Sequence, residues 1–182
     1  MGRDKALLDL NGQPLLMRAA QLVESTIGKA PTIIGAKRKT EDCAGLVFVE
    51  DEWLNAGPLS GIVTALGTAS GGWSLIIACD MPYLSGPWLE FLMDRATGSD
   101  ADVVLPANFN GLEPLCAMYH KRCEGVLRGA FEKGTRKVTE ALRALRLDRI
   151  EPAEWQAFDA SGGLFKNVNS PADYEEAKRR LG

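Results

Sequence analysis

The chain has 182 residues, 46% of them hydrophobic and 25% charged, which suits one globular domain over 1–182 with a sizeable core. Its 21 Lys and Arg stand against 24 Asp and Glu, and the net charge of −3 leaves no basic surplus to bind a nucleic acid backbone. The apolar runs fall short of the ~20 residues a membrane span needs, and Cys43, Cys79, Cys116 and Cys123 with His120 make no CxxC pair and no zinc spacing. Reduced thiols in a soluble, cytoplasmic protein are expected.

Short apolar runs alternate with longer amphipathic stretches, the rhythm of βα units around a mostly parallel sheet with helices on both faces. After the turn Asn11-Gly12, Pro14 suits a first helical residue. Leu15, Leu16, Ala19, Leu22 and Val23 then recur at helical spacing until Gly28. Thr32 to Gly35 and Leu46 to Val49 read as buried strands. Gly57-Pro58 opens a helix reaching Thr68, and Trp73 to Ala78 is an apolar strand ending at Cys79-Asp80. Further on, Trp88 to Ala96 reads as helix, Asp102 to Leu105 as strand, Asn108 to Gly111 as turn and Leu115 to Tyr119 as strand. Helices are predicted around Glu124 to Glu132 and Val138 to Leu145. A strand near Phe165 is predicted to end at Asn167-Val168-Asn169. Ser170-Pro171-Ala172-Asp173 supplies N-cap, N1 proline and N3 acid for a last helix.

Four places carry chemistry. Asp80 stands where an apolar strand ends, the edge at which open α/β sheets bind ligands. There it serves either as a hard oxygen ligand for Mg²⁺ on a nucleoside triphosphate or as the cap of the next helix. Pro82 turns the chain sharply and favours the ligand. Lys5, closing Met1-Gly2-Arg3-Asp4-Lys5, is either an ammonium for phosphate oxygens or part of a solvated terminus. Asn55 to Gly61 places glycines on both sides of a proline-initiated helix, which permits a ligand to approach the backbone or simply makes a tight turn. Asn167 and Asn169 straddle Val168, so both amides share one side of an extended segment. They can complete a metal or phosphate shell or hydrogen-bond within a loop. His120, Cys116, Trp53, Trp73, Trp88 and Trp155 form no constellation and read as packing residues.

MGRDKALL, NGQPLL, VEDEWLNAGPLSGI, ACDMPYL, EPLCAMY and NVNSPADYEEA follow one another in the order and approximate spacing of the molybdenum cofactor guanylyltransferases, and over nearly its whole length the chain resembles that family. The resemblance implies a three-layer, Rossmann-like nucleotidyltransferase fold and Mg²⁺-dependent transfer of GMP from GTP to molybdopterin with release of pyrophosphate. It implies that Lys5 stabilises the triphosphate, that Asp80 holds the metal, and that Asp51 with the turn Gly57, Pro58 and Leu59 meets the nucleotide. Asn167 and Asn169 would lie by the second substrate or metal, and Glu113-Pro114 would line the pterin side. Molybdoenzymes or their chaperones are the implied downstream partners.

Two departures accompany the likeness. The family carries an apolar strand and a glycine-rich loop ahead of Met-Gly-x-Asp-Lys, whereas Met1 stands at that methionine here, so residues upstream are expected. Gly35 occupies a position where these enzymes usually carry an asparagine. The neighbouring readings are a cytidylyltransferase of the same pterin, a sugar-1-phosphate nucleotidyltransferase, and a non-catalytic molybdopterin-binding relative. The GPLSG turn favours the guanylyl branch.

Overall fold

A computed structural model describes residues 5–35, 45–159 and 161–182. Met1 to Asp4, Ala36 and Cys43 lie outside them. The first helix, α1 (Leu15–Ile27), buries Leu15, Leu16, Ala20 and Val23 and stops at Gly28, whose φ of 74° places it in the left-handed region that glycine tolerates. Pro14 stands one position before the helix rather than in it, with ψ at 142°. Two short strands follow, β1 (Thr32–Ile34) and β2 (Val47–Val49), paired in parallel as a separate two-stranded sheet. The expectation that both are buried fails: Thr32 and Val47 are exposed, Val47 at 59%, and the other residues of the two strands are only half-buried.

Helix α2 (Pro58–Thr68) leads into β3 (Trp73–Ile77), and α3 (Gly86–Thr97) into β4 (Val103–Asn108). The chain then doubles back through β5 (Gly111–Leu112) and β6 (Cys116–His120). Helices α4 (Glu124–Glu132) and α5 (Val138–Ala141), strand β7 (Leu147–Ile150) and helices α6 (Pro152–Trp155) and α7 (Pro171–Leu181) complete the order. The reciprocal cap of Ser170 and Asp173 opens α7 as predicted.

The main sheet runs β3-β6-β4-β5, with β7 on β4. The sheet is partly antiparallel, so the mostly parallel expectation is not confirmed. Strand β6 lies antiparallel between β3 and β4, β5 is antiparallel to β4, and only β7 joins β4 in parallel. The reason is connection length: a parallel return needs a crossover of roughly a dozen residues or more, and only the Asn108–Gly111 hairpin and a few residues link β4 to β6. Strands β3, β4 and β7 nevertheless point the same way, so their carboxyl ends share one edge.

Alternation along the strands divides the core between the two faces. Val104, Cys116 and Met118 pack with α3 and the Leu164-Phe165 segment; Val103, Leu105, Ala117 and Tyr119 pack with α2, α4 and α5. No strand forms at Phe165. Its ring lies edge-on to Trp88 and Trp155 at 5.3 and 5.1 Å, so packing, not pairing, holds the segment. The place beside β4 goes to β7, which the charged pair Asp148-Arg149 concealed from a hydrophobic-pattern reading. Arg95 of α3 neutralises Asp148 with two 2.9 Å hydrogen bonds.

Asp102 staples β4 to the turn before β7. It accepts from the Arg146 backbone N–H at 2.9 Å, from the Arg146 guanidinium at 3.0 and 3.3 Å, and from Arg122. The Arg146 guanidinium is the main reason that its carboxyl sits well below the usual carboxylate range; the Arg146 N–H and Arg122 add to it against the cost of burial. For a depressed acid, the stabilisation is complete above the unfolded value of about 3.9 and is lost as pH falls towards the lower folded value. Asp102→Asn is therefore expected to melt lower at neutral pH and to show a shallower fall in melting temperature below about pH 4, measured by thermal denaturation across pH. An unchanged acid limb would refute the role.

Candidate active site

The site grows from the carboxyl end of β3. The strand delivers Cys79-Asp80, and the backbone carbonyl of Asp80 accepts from Val168 N–H at 2.9 Å, tying this edge to the segment that carries both asparagines. Val168 is buried in a small cluster with Leu10, Leu15 and Ala177, which fixes its flanking residues in place. A single turn of helix, Lys5–Leu7, buries Ala6 against Leu16, Ile33 and Cys79, and from it Lys5 Nζ donates to Asn169 Oδ1 at 2.7 Å. Lys5, Asp80, Asn167 and Asn169, far apart in sequence, thus come together.

Electrostatics mark Asp80 within this group. Burial pushes its carboxyl above the usual range, and the Lys5 ammonium pulls partly the other way. Asn167 Oδ1 is buried with no hydrogen-bond partner, an orphaned acceptor one residue before Val168, whose N–H bonds the Asp80 backbone. The edge thus holds a buried carboxylate, an ammonium that Asn169 Oδ1 accepts from at 2.7 Å, and a buried amide oxygen of Asn167 without a partner.

Asp51 has a different setting. It follows β2, and its carboxylate accepts from Ser60 Oγ at 2.8 Å, Thr64 Oγ1 at 3.1 Å and Trp53 N–H at 3.1 Å. These bonds lock the turn that starts α2. Ser60 and Thr64, buried polar residues of α2 that the sequence reading passed over, are legible only as helical neighbours four apart. Gly57 precedes α2 with φ at 95°, a backbone that favours glycine. Pro58 lines the same cleft as Lys5 and Asp80, whereas the Leu59 side chain is fully buried in the core and leaves only its backbone for a ligand.

Glu113 and Pro114 lie on the hairpin at the same sheet edge but not in this cluster. Glu113 is bonded by Asn108 Nδ2, and burial raises its carboxyl despite that bond. The Pro114 carbonyl accepts from Tyr119 Oη at 2.8 Å. Next to them Leu115 accepts from Ala78 N–H at 2.8 Å, so the hairpin is anchored one residue from Cys79. Gly35, at the end of β1 with φ at 149°, has open space around its missing side chain.

The packing residues stay packing residues. Trp88 Nε1 donates to Cys116 Sγ at 3.2 Å, and full burial pushes the Cys116 thiol up to about 12, so it remains protonated and inert. Cys79, Cys116 and Cys123 form no disulfide. Among the described residues no three His, Cys, Asp or Glu side chains cluster to hold a metal, and no helix is long and apolar enough to cross a membrane.

The model of the MobA-like NTP transferase domain matches residues 1–149. The chain belongs to this family. A probable molybdenum cofactor guanylyltransferase of Natronomonas pharaonis is 31% identical over 188 residues, covering 98% of this chain and 90% of that protein. A protein of the same description from Pelotomaculum thermopropionicum is 29% identical over 178 residues, covering 98% of this chain and 85% of its own length. The crystal structure of molybdopterin-guanine dinucleotide biosynthesis protein A from Archaeoglobus fulgidus superposes with a TM-score of 0.84 at 24% identity, over 99% of this chain and 91% of that one. This last likeness is one of fold. In a MobA-like NTP transferase domain, Lys5 and Asp80 fall within the matched span, while Asn167 and Asn169 lie beyond it and reach the site only through the tertiary contacts of Val168 and Lys5.

Proposed function

We propose that this domain transfers GMP from GTP to molybdopterin, forming the guanine dinucleotide cofactor and releasing pyrophosphate. The observation that carries the reading is the convergence of the Lys5 ammonium, the Asp80 carboxylate and the Asn167-Asn169 amides on one sheet edge, in a chain whose relatives are described as guanylyltransferases. In the reaction an oxygen of the terminal pterin phosphate attacks the α-phosphorus of GTP. The bond from that phosphorus to the bridging oxygen breaks, and the electron pair leaves with pyrophosphate. Such an in-line displacement needs alignment and charge stabilisation rather than a protein nucleophile.

Lys5 stabilises charge on the triphosphate oxygens as the leaving group forms, and Asn169 holds its ammonium in position. The Asp80 carboxylate and the unpartnered Asn167 Oδ1 are hard oxygen donors of the kind that Mg²⁺ takes. That ion commonly needs only one or two protein carboxylates beside phosphate and water, so the donor set fits it. When bound, Mg²⁺ would neutralise phosphate charge. The hairpin at Glu113-Pro114 stands on the side left for the pterin, and the turn Asp51 to Leu59 on the nucleotide side.

The test is pyrophosphate release with GTP and molybdopterin, with CTP run in parallel. Transfer from GTP at a rate well above that from CTP is expected; a preference for CTP would move the domain to the cytidylyl reading, and turnover of neither would overturn the proposal. In the same assay Lys5→Ala is expected to lower kcat by ~10²-fold with a smaller change in KM, because its interaction strengthens as charge develops. An effect confined to KM would remove that role.

A further inference from the structure

The turn before α2 is held residue by residue from two helices. Asp51 belongs to α2, through Ser60 and Thr64, and Thr64 Oγ1 also accepts from the Glu52 N–H at 3.1 Å. The next two side chains belong to α4. Arg128 Nη1 and Nη2 donate to the two Glu52 carboxylate oxygens at 2.7 and 2.8 Å, and the same guanidinium lies 5.2 Å from the centre of the Trp53 ring. Phe131, one turn further along α4 and buried, meets that ring at 4.7 Å.

Arg128 is itself fixed. Glu124, one turn back along α4, accepts from its Nε and Nη2 at 3.3 and 3.2 Å. Glu124 is bridged in turn to Lys121 at 3.1 Å, and the Lys121 ammonium donates to the Leu66 and Gly67 carbonyls in the last turn of α2. The charged side chains lie across Gly67, where a Cβ would stand 3.6 to 3.8 Å from Arg128 Nη2, Glu52 Oε1 and Glu124 Oε1. Beyond Trp53 the turn is exposed at Leu54, Asn55, Gly57 and Pro58. Asn55 at φ 59° and Gly57 at 95° take left-handed backbones, and such a shape persists where neighbouring structure imposes it. Its two ends are imposed, at Trp53 by α4 and at Leu59 by burial in the core.

We propose that Arg128 is a positioning residue for the nucleotide, acting through its clamp on Glu52 and Trp53, which sets where the exposed turn 54–58 presents its backbone. The inference rests on the reading of that turn as the nucleotide side. Pro58 of the turn lines the cleft that holds Lys5 and Asp80, whereas Arg128 and Glu52 do not, so their effect reaches the cleft through the turn alone. A guanidinium suits the task because it bonds two carboxylate oxygens and stacks on a ring at once, which an ammonium does not.

The test titrates GTP with Mg²⁺ into parent and variants by calorimetry and measures turnover alongside. Glu52→Gln and Arg128→Gln are each expected to weaken GTP binding and raise its KM by ~5–10-fold, with kcat within a factor of about two. The double variant should be no worse than the poorer single one, because the two residues act as a unit. Arg128→Lys keeps the charge but not the two-point bond and should stay closer to Arg128→Gln than to the parent. Arg95→Gln breaks a pair of the same form, with Asp148 on the other face of the main sheet, and is expected to lower the melting temperature without moving KM. Parental affinity in both single variants, additive losses in the double one, or an equal rise in KM for Arg95→Gln overturns the inference and leaves the guanylyl reading standing. A parent that prefers CTP changes that reading alone, and the same comparison is then decided with CTP; a parent that binds neither nucleotide overturns both. If Arg128→Gln does not fold, Glu52→Gln decides, since its change lies at an exposed side chain.

Discussion

Asp80→Asn is expected to lower transfer by ~10²–10³-fold while leaving the protein folded. The substitution keeps the size and shape of the side chain, and the bond that ties this edge to Val168 uses the Asp80 backbone carbonyl, so the site's framework is untouched. What disappears is a charge that burial already opposes. A raised acid is stabilised in its protonated form, so its ionisation weakens the fold as pH rises from the unfolded value through the higher folded one. Removing that charge should leave the melting temperature at pH 7 unchanged or slightly higher. Activity follows the opposite course: the carboxylate is the form that holds a cation, and turnover in the parent should fall as pH drops through a value above the ordinary ~3.9. Saturating magnesium should move this limb to lower pH by competing with the proton. Turnover within a factor of a few of the parent for Asp80→Asn would take the metal and the catalytic assignment away from this residue.

Trp88→Ala carries the largest expected effect on stability, about 3–5 kcal/mol, a sizeable part of the roughly 5–15 kcal/mol that holds a domain together. Trp88 is fully buried, and its ring meets Phe91, Phe158 and Phe165 at 5.8, 5.5 and 5.3 Å. Truncation leaves a cavity between α3 and the segment that leads to Asn167. The melting temperature is expected to fall by about 10 °C or more, and turnover should decline with it even at temperatures where the protein is folded, because the amides of Asn167 and Asn169 lose their backing. Trp88→Phe keeps most of the packing but gives up the bond to Cys116 Sγ, and should lose clearly less of both. Equal melting temperatures for the parent and Trp88→Ala would show that the aromatic cluster is not the anchor described.

The sequence by itself determined the elements whose cause is local. Gly28 stops α1 because only a residue without a side chain takes that backbone at no cost, Pro58 and Pro171 open helices whose first turn needs no N–H, and the Ser170-Asp173 pair caps α7 through atoms three residues apart. The apolar run ending at Asp80 was equally legible, since a buried strand leaves its first polar residue at the sheet edge. Only the tertiary structure decided the rest. Strand direction in the main sheet depends on which strands become neighbours, and β6 between β3 and β4 makes it partly antiparallel where a mostly parallel sheet was expected. Phe165 carries a strand-like pattern, yet its ring found a better place against Trp88 and Trp155 than any pairing offered. Likewise, no spacing foretells that Lys5 bonds Asn169, 164 residues away, or that Ser60 and Thr64 occupy the Asp51 carboxylate. Contacts between segments remote in sequence are set by how layers pack, and hydrophobic periodicity records which face a residue turns inward but not what it meets there.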